Sequence, residues 1–483
     1  MTTPILSIPL EIIEQALVYS DPRDVASFSQ TCSIFYNLVY RASDQHIWRK
    51  LFLEQQFDHL QRNQRPDSFP YAPEQRIDWK QELQKRVNCK CILNKTDANP
   101  ENITKAIQVV LDVLQNAPSM IDKTEPSEDI LWANMLIKKE LHPLWHRSSI
   151  NSLYENNLLQ DLAKVWSLIG WRDNVLNRSS VDIRDTRNCA RAFVYDMRNY
   201  RRNNNWGPFL PMLFGQKLCP INWDHIKWII TVMYNNLLDL GNLWTDTRPP
   251  ASFEAIRAYS APNSLNRDPK DWAGVEGTWR RYVCFMDYRD LFTYNYSNSA
   301  YDSEFFEDED FQEATRLIEL NLTVTRIGEQ TISRTGASSA LTSPVASSSH
   351  SPAPSDLSGS DSTASQPAAI VSNASTSFMT VHLDERFPPI YFKGRSRGGN
   401  GNESKVRGRV YKTTDGCIRW CFVSASIYDG HSQWRSEGIQ IGNVCSAAGI
   451  VGTWTGAHHE EGDPAGPFWL WKVDNDHPSH LHD

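Results

Sequence analysis

The chain has 483 residues, 40% of them hydrophobic, and a formal net charge of −8. At about 100–200 residues per domain this is room for two to four domains with buried cores. The negative balance excludes binding to nucleic acid through a bulk basic surface.

The nine cysteines are scattered. Neither Cys89 and Cys91 nor Cys417 and Cys421 are joined by a second pair at zinc-finger spacing. An odd, frameless set is that of reduced, intracellular thiols. Residues 1–10 lack a basic region followed by an apolar run, so no signal peptide is expected. No run reaches the ~18 apolar residues of a membrane span. The expected location is the cytoplasm or the nucleus, with no membrane partner.

Ile5, Leu6 and Ile8 precede Pro9 and Leu10. Proline suits a first helical turn, where its missing N–H would be unpaired anyway. Ile12, Ile13, Ala16 and Leu17 then recur at helical spacing. Asp21-Pro22 is a cap followed by a first-turn proline. Val25, Phe28 and Cys32 form the next stripe, Phe35, Leu38 and Val39 continue it, and Ile47, Trp48, Leu51 and Phe52 close the segment. So short a helical unit buries too little surface to stand alone, and its apolar faces are rich, so a partner is expected to cover the remainder.

Residues 4–52 resemble the F-box. The resemblance lies in the Ile8-Pro9-Leu10-Glu11 start, the Asp21-Pro22 turn, Cys32-Ser33-Ile34-Phe35 and the terminal Ile47-Trp48. It implies that Leu6, Ile8, Pro9, Leu10, Ile12, Ile13, Leu17, Val25, Phe28, Cys32, Phe35, Leu38, Trp48 and Leu51 bind a Skp-type adaptor, which bridges to a cullin and its RING protein. Each fully buried Leu, Ile or Phe would contribute about 1.5–3 kcal/mol.

From 102 to about 242 the spacing stays helical. Ile103, Ile107, Val110, Leu111 and Leu114 form one stripe, and Leu158, Leu162, Val165, Trp166 and Ile169 another. Stretches 182–200 and 223–240 add two more, separated by a Trp-Gly-Pro-Phe turn at 206–209. A rigid helical spacer is what a ligase receptor requires to aim its target.

After Pro249-Pro250 the pattern turns to short alternating runs bounded by glycine and proline. Strands are expected at 277–287, 317–327, 390–392, 406–413, 418–428, 434–441, 450–455 and 468–473. Eight strands close a small up-and-down barrel. Between the second and third lies 333–377, rich in Ser, Ala, Thr and Pro, a composition that does not order itself. Ser343-Pro344 and Ser351-Pro352 are candidate sites of proline-directed phosphorylation, or parts of an inert loop.

The Gly-Thr-Trp at 277–279, repeated at 452–454, is familiar from the first strand of lipocalin-like barrels, whose Trp plugs one end. With the strand count, it makes this half resemble the barrel of the cyclin-D-binding F-box proteins. It resembles more closely a set of fungal F-box proteins, through Gly-Thr-Trp-Arg-Arg at 277–281, Trp-Arg-Ser-Glu-Gly-Ile-Gln-Ile-Gly at 434–442 and Gly-Pro-Phe-Trp-Leu-Trp-Lys at 466–472. The resemblance implies a barrel that receives a protein target.

The candidate target-binding residues are Trp279, Arg280, Arg281, Arg395, Arg407, Arg409, Arg419, Trp420, Trp434 and Arg435. Arginine pairs bidentately with carboxylate or phosphate and stacks on rings. Alternatively, the arginines simply face solvent. His458, His459, Glu460, Glu461 and Asp463 are the nearest approach to a metal cluster, but adjacent loop histidines seldom complete a site. No metal, cofactor or catalytic residue is expected, for no nucleophile elbow, phosphate loop or dinucleotide fingerprint occurs.

The expected chain is thus an α+β multidomain protein. It has a helical F-box at 1–55, a helical linker at 56–250, and an antiparallel barrel at 251–332 and 378–476. A disordered loop at 333–377 interrupts the barrel, and 477–483 form a tail. The function it implies is target recognition within a Skp-cullin-F-box ubiquitin ligase. A small-ligand barrel carrying an F-box outside a ligase is the alternative.

Overall fold

The computed structural model describes residues 5–60, 77–138, 153–171, 180–212, 218–240, 248–296, 303–328 and 384–477, apart from 43, 96, 97, 309, 310, 312, 385, 400, 429 and 461. The Ser/Pro-rich stretch 333–377, with its two Ser-Pro pairs, lies outside them, as does the tail beyond His477.

Four short helices open the chain: α1 (Leu10–Val18), α2 (Pro22–Ser29), α3 (Ser33–Tyr40) and α4 (His46–Glu54). Asp21 caps α2 by accepting from the Arg23 N–H at 2.9 Å. Their core holds Ile13, Leu17, Val25, Phe35, Val39, Ile47, Trp48, Leu51 and Phe52. Trp48 Nε1 donates to the Val39 carbonyl at 2.8 Å, fixing α4 against α3. The core is completed by Trp79 and Leu83 of α5 (Trp79–Leu93), so this bundle is sealed on one side by chain beyond residue 55.

The helical unit continues with α6 (Pro100–Gln115), α7 (Glu128–Leu136), α8 (Leu153–Val165), α9 (Ser180–Val194) and α10 (Trp223–Asp239). A π-helical turn, Trp166–Gly170, extends α8. Asn99, Ser127 and Asn222 cap α6, α7 and α10, each accepting a backbone N–H of the first turn.

Eight strands follow: β1 (Gly277–Met286), β2 (Glu313–Ile327), β3 (Ile390–Gly398), β4 (Glu403–Lys412), β5 (Ile418–Ser426), β6 (Ser432–Gln440), β7 (Ile450–Gly456) and β8 (Ala465–Lys472). Each pairs antiparallel with the next, and β8 returns to β1, closing an up-and-down barrel. The expected strand 390–392 is longer, reaching Gly398, because its later residues alternate Gly and Ser inward with basic side chains outward. A helix not expected from the sequence, α11 (Tyr288–Tyr296), lies between β1 and β2.

Alternation along the strands sorts two cores. Trp279 and Val283 of β1, with Phe468 and Leu470 of β8, point into the lumen. Tyr282 and Cys284, with Trp469 and Trp471, point outward into the core of the helical unit. That shared core also takes Ile439 and Val451, so helices and barrel are packed as one body. Arg257, fully buried, ties the segment before β1 to the helices by donating to the carbonyls of Pro118, Ser119, Lys123 and Glu125.

Candidate interaction surfaces

On the N-terminal bundle, helical spacing yields two apolar faces. Ile13 and Leu17 face inward, while Ile8, Leu10, Ile12 and Tyr19 remain exposed, Ile12 by 61% and Tyr19 by 70%. On α3, Phe35 and Val39 are buried, but Ile34 and Tyr36 are exposed. Of the adaptor residues expected from the sequence, Ile8, Pro9, Leu10 and Ile12 are therefore on the surface. Ile13, Leu17, Val25, Phe35, Trp48 and Leu51 are buried in the bundle's own core, where a partner does not reach them. Phe28, Cys32 and Leu38 are half-buried against that core, and the Leu6 side chain lies outside the description. Ile5, Tyr19, Ile34 and Tyr36 were not among the expected residues, although the second apolar stripe of each helix marks them.

In the barrel the ten candidate residues separate. Trp279 and Trp420 are buried in the lumen with ring centroids 5.2 Å apart. Trp279 Nε1 donates to the Val275 carbonyl at 2.9 Å, and the Lys472 ammonium, 5.7 Å from its ring, donates to the carbonyls of Gly274 and Glu276. Trp279 thus closes one end of the barrel. Phe392, Phe422 and Phe468 fill the lumen above it.

Three arginines are buried instead of facing solvent. Arg280 points out of the barrel and pairs with Glu319 at 3.3 Å. Arg281 points in, its guanidinium over the Phe422 and Phe468 rings and donating to Ser436 Oγ at 2.8 Å. Burial pushes its pKa down to about 9. Arg419 lies over Phe209 at 4.7 Å, beneath the 206–209 turn. The causes differ: Arg281 is enclosed by the lumen, Arg280 lies on the side of β1 that packs on the helical unit, and Arg419 is covered by Phe209. Arg435 is half-buried and paired with Glu437 at 2.6 Å. Trp434 is exposed at the open rim, edge-on to Trp454 at 5.1 Å.

Only Arg395, Arg407 and Arg409 share an exposed surface, the outer face of β3 and β4. The register adds Lys393 opposite Arg407 and Lys405 opposite Arg395. A search for arginine alone passes over these lysines; strand alternation would have found them.

A cleft of about 400 Å³ runs between the helices and the Trp279 end of the barrel, lined in part by Gln115, Lys164, Trp223, Phe387, Lys412 and Cys417. It holds none of the candidate residues. His459 stacks on Trp206 at 3.7 Å, and among the described residues no cluster of His, Cys, Asp or Glu is arranged to hold a metal ion. Among them too, no helix is long and apolar enough to cross a membrane.

Residues 5–54 match the F-box-like family model, the stretch in which the sequence resemblance was found. No curated protein and no solved structure matches the chain.

Proposed function

We propose that this chain is the target-recognition subunit of a Skp-cullin-F-box ubiquitin ligase, itself non-catalytic. The observation that carries the reading is the exposed apolar face of α1 and α3, backed by a filled core. Such a face, on a domain of the F-box-like family, is suited to a Skp-type adaptor, which would connect it to the cullin and RING protein. Association removes these side chains from water, and each fully buried one contributes about 1.5–3 kcal/mol before the costs of ordering.

The remainder of the chain would present the target. Helices and barrel share a core, so a target on the barrel keeps a fixed position relative to the ligase. The resemblance of the β-rich half to the barrels of F-box target receptors supports this assignment. The packed lumen disfavours a small-ligand barrel, since Trp279, Trp420 and three phenylalanines occupy the space a ligand would need.

The test is capture of adaptor and cullin from cells by the full chain. Ile12→Asp with Leu10→Asp, both at exposed positions, should abolish capture and leave the melting midpoint unchanged. Undiminished capture by that folded variant would sink the reading.

A further inference from the structure

We propose that the outer face of β3 and β4 is the docking surface for an acidic segment of the target, one that carries negative groups at every second residue. The inference rests on the receptor reading and adds where the target sits and which chemistry it presents.

Three routes of recognition are closed by the fold. Every strand is paired on both sides, so the barrel offers no edge to which a target strand could be added. Aromatic side chains fill the lumen. The outward sides of β1, β7 and β8 are taken up by the helical unit through Tyr282, Cys284, Val451, Trp469 and Trp471. Among the described residues, nothing covers the outer face of β3 and β4.

That face has an unusual charge arrangement. Lys393 stands opposite Arg407, Arg395 opposite Lys405, and Arg409 opposite Tyr391. All five cations are exposed. Like charges directly opposed across a ladder destabilise it. Elsewhere on the barrel the exchange is made locally: Arg280 has Glu319, and Arg435 has Glu437. None of the five basic residues forms an ion pair among the described residues. In a chain of net charge −8, this concentration does not follow from composition. A fold that keeps mutually repelling cations in register is one that an external anion completes.

The spacing selects the ligand. Same-face residues along a strand recur every ~6.6–6.8 Å, and directly opposed side chains are about 5 Å apart at Cβ. Each opposed pair therefore makes a two-cation cradle for one carboxylate or phosphate, and the next cradle lies two residues along. An extended peptide laid along β3 presents its own alternate side chains at that interval. Arginine in each cradle supplies bidentate geometry. A nucleic acid fits less well. The described rings near this face, Tyr391 and Tyr411, lie beside Arg326 at 4.0 Å and Arg409 at 5.2 Å, so among the described residues no open stacking platform accompanies the charge.

The experiment uses the full chain bound to its adaptor and fluorescence anisotropy of labelled probes. The probes are a peptide with glutamate at alternate positions, the same peptide with phosphoserine, an isomer with its charges contiguous, and a single-stranded oligonucleotide. The alternating peptides should bind best and weaken as salt rises from about 50 to 200 mM. Preference for phosphoserine would assign modified targets, and preference for glutamate would assign constitutively acidic ones.

Lys393→Glu with Lys405→Glu places a negative group opposite Arg407 and Arg395. It should weaken the alternating peptides by at least about tenfold while raising the melting midpoint. A merely structural patch would not lose binding as it gains stability. Unchanged peptide affinity in that variant overturns the proposal, as does tighter binding of the oligonucleotide than of either peptide. Ile12→Asp with Leu10→Asp, measured without adaptor, separates the two readings. Peptide binding that survives there supports this surface whatever happens to the ligase assignment.

Discussion

Arg86 of α5 and Asp129 of α7 meet as a bidentate pair with both side chains buried. The guanidinium also lies over Phe52 at 4.9 Å and Phe57 at 4.4 Å, side chains of the N-terminal bundle. Around it, Asp58 accepts from the Ser127 hydroxyl and pairs with Lys123 at 2.7 Å. This polar knot joins the bundle to the helical unit, and a receptor that must aim its target needs that joint stiff. Burial pushes the Asp129 carboxyl above its ordinary value even beside Arg86. At Asp58 burial acts in the same direction but is outweighed by Lys123 and Ser127, which hold that carboxyl low.

Removing one partner leaves a buried charge uncompensated. Arg86→Ala should therefore cost about 3–5 kcal/mol, read as a fall in the urea midpoint. Arg86→Met with Asp129→Leu should restore most of it, because a well-packed apolar pair of similar volume replaces a desolvated ionic one. A double variant as unstable as the single would show that the hydrogen bonds, not the charges, dominate.

His225, at the start of α10, is 1% exposed and edge-on to Phe193 and Tyr200. Burial pushes its pKa down to about 3. In the unfolded chain the value is ~6.5. The folded state thus binds the proton less well, and the contribution is intact above about pH 6.5 and lost as pH falls toward 3. Stability should decline by about 1.4 kcal/mol per pH unit below ~6.5 from this group. His225→Gln should flatten the profile between about pH 6.5 and 5. Denaturant midpoints measured across that window check it, and equal slopes would contradict it.

Gly408 of β4 faces the lumen where a side chain has no room. A Cβ there would come within 2.5 Å of Phe422 Cβ and 2.6 Å of Phe392 Cζ. Gly408→Ala should destabilise the barrel by about 1–3 kcal/mol through overpacking. Adding Phe392→Leu should recover part of the loss, since the two positions share one volume, and thermal melts of the two singles and the double give the coupling. Additive losses would mean that the backbone at Cys421, not the Phe392 ring, resists the methyl.

The barrel was largely legible in the sequence because β2 to β4 alternate and turn residues punctuate the strands. Burial of β8 on both faces also left a trace, the nearly unbroken apolar run Phe468 to Trp471. The placement of arginines was not legible. A strand reader expects one dry face and one wet one, yet β1 has the lumen on one side and helices on the other, so Arg280 and Arg281 are both buried. In the N-terminal bundle, adjacent Ile12 and Ile13 carry the same hydropathy, and only packing tells which is core. Helix α11 was missed because its aromatic-rich Tyr-Arg-Asp-Leu-Phe-Thr-Tyr-Asn-Tyr carries little helical propensity, and Leu291, Tyr294 and Asn295 become its buried face only through contact with α9 and its neighbours.

Arg281 gives the sharpest test of that burial. Among the described residues its Nε has no partner, its guanidinium donates to the Ser436 hydroxyl, and no carboxylate pairs with it. The two phenylalanine rings return part of the desolvation cost through the guanidinium face, on the order of 2 kcal/mol for a desolvated contact. The penalty for a buried, unpaired cation is several kcal/mol. Arg281→Met keeps the length and apolar stem and removes the charge, so the barrel should become more stable by about 1–4 kcal/mol. Arg281→Lys should do the reverse, since a compact ammonium spreads its charge less and forfeits the stacked plane. Urea midpoints of the two variants decide it: a destabilised Arg281→Met would mean that the ring contacts outweigh desolvation, and that the guanidinium is part of what holds the lumen together.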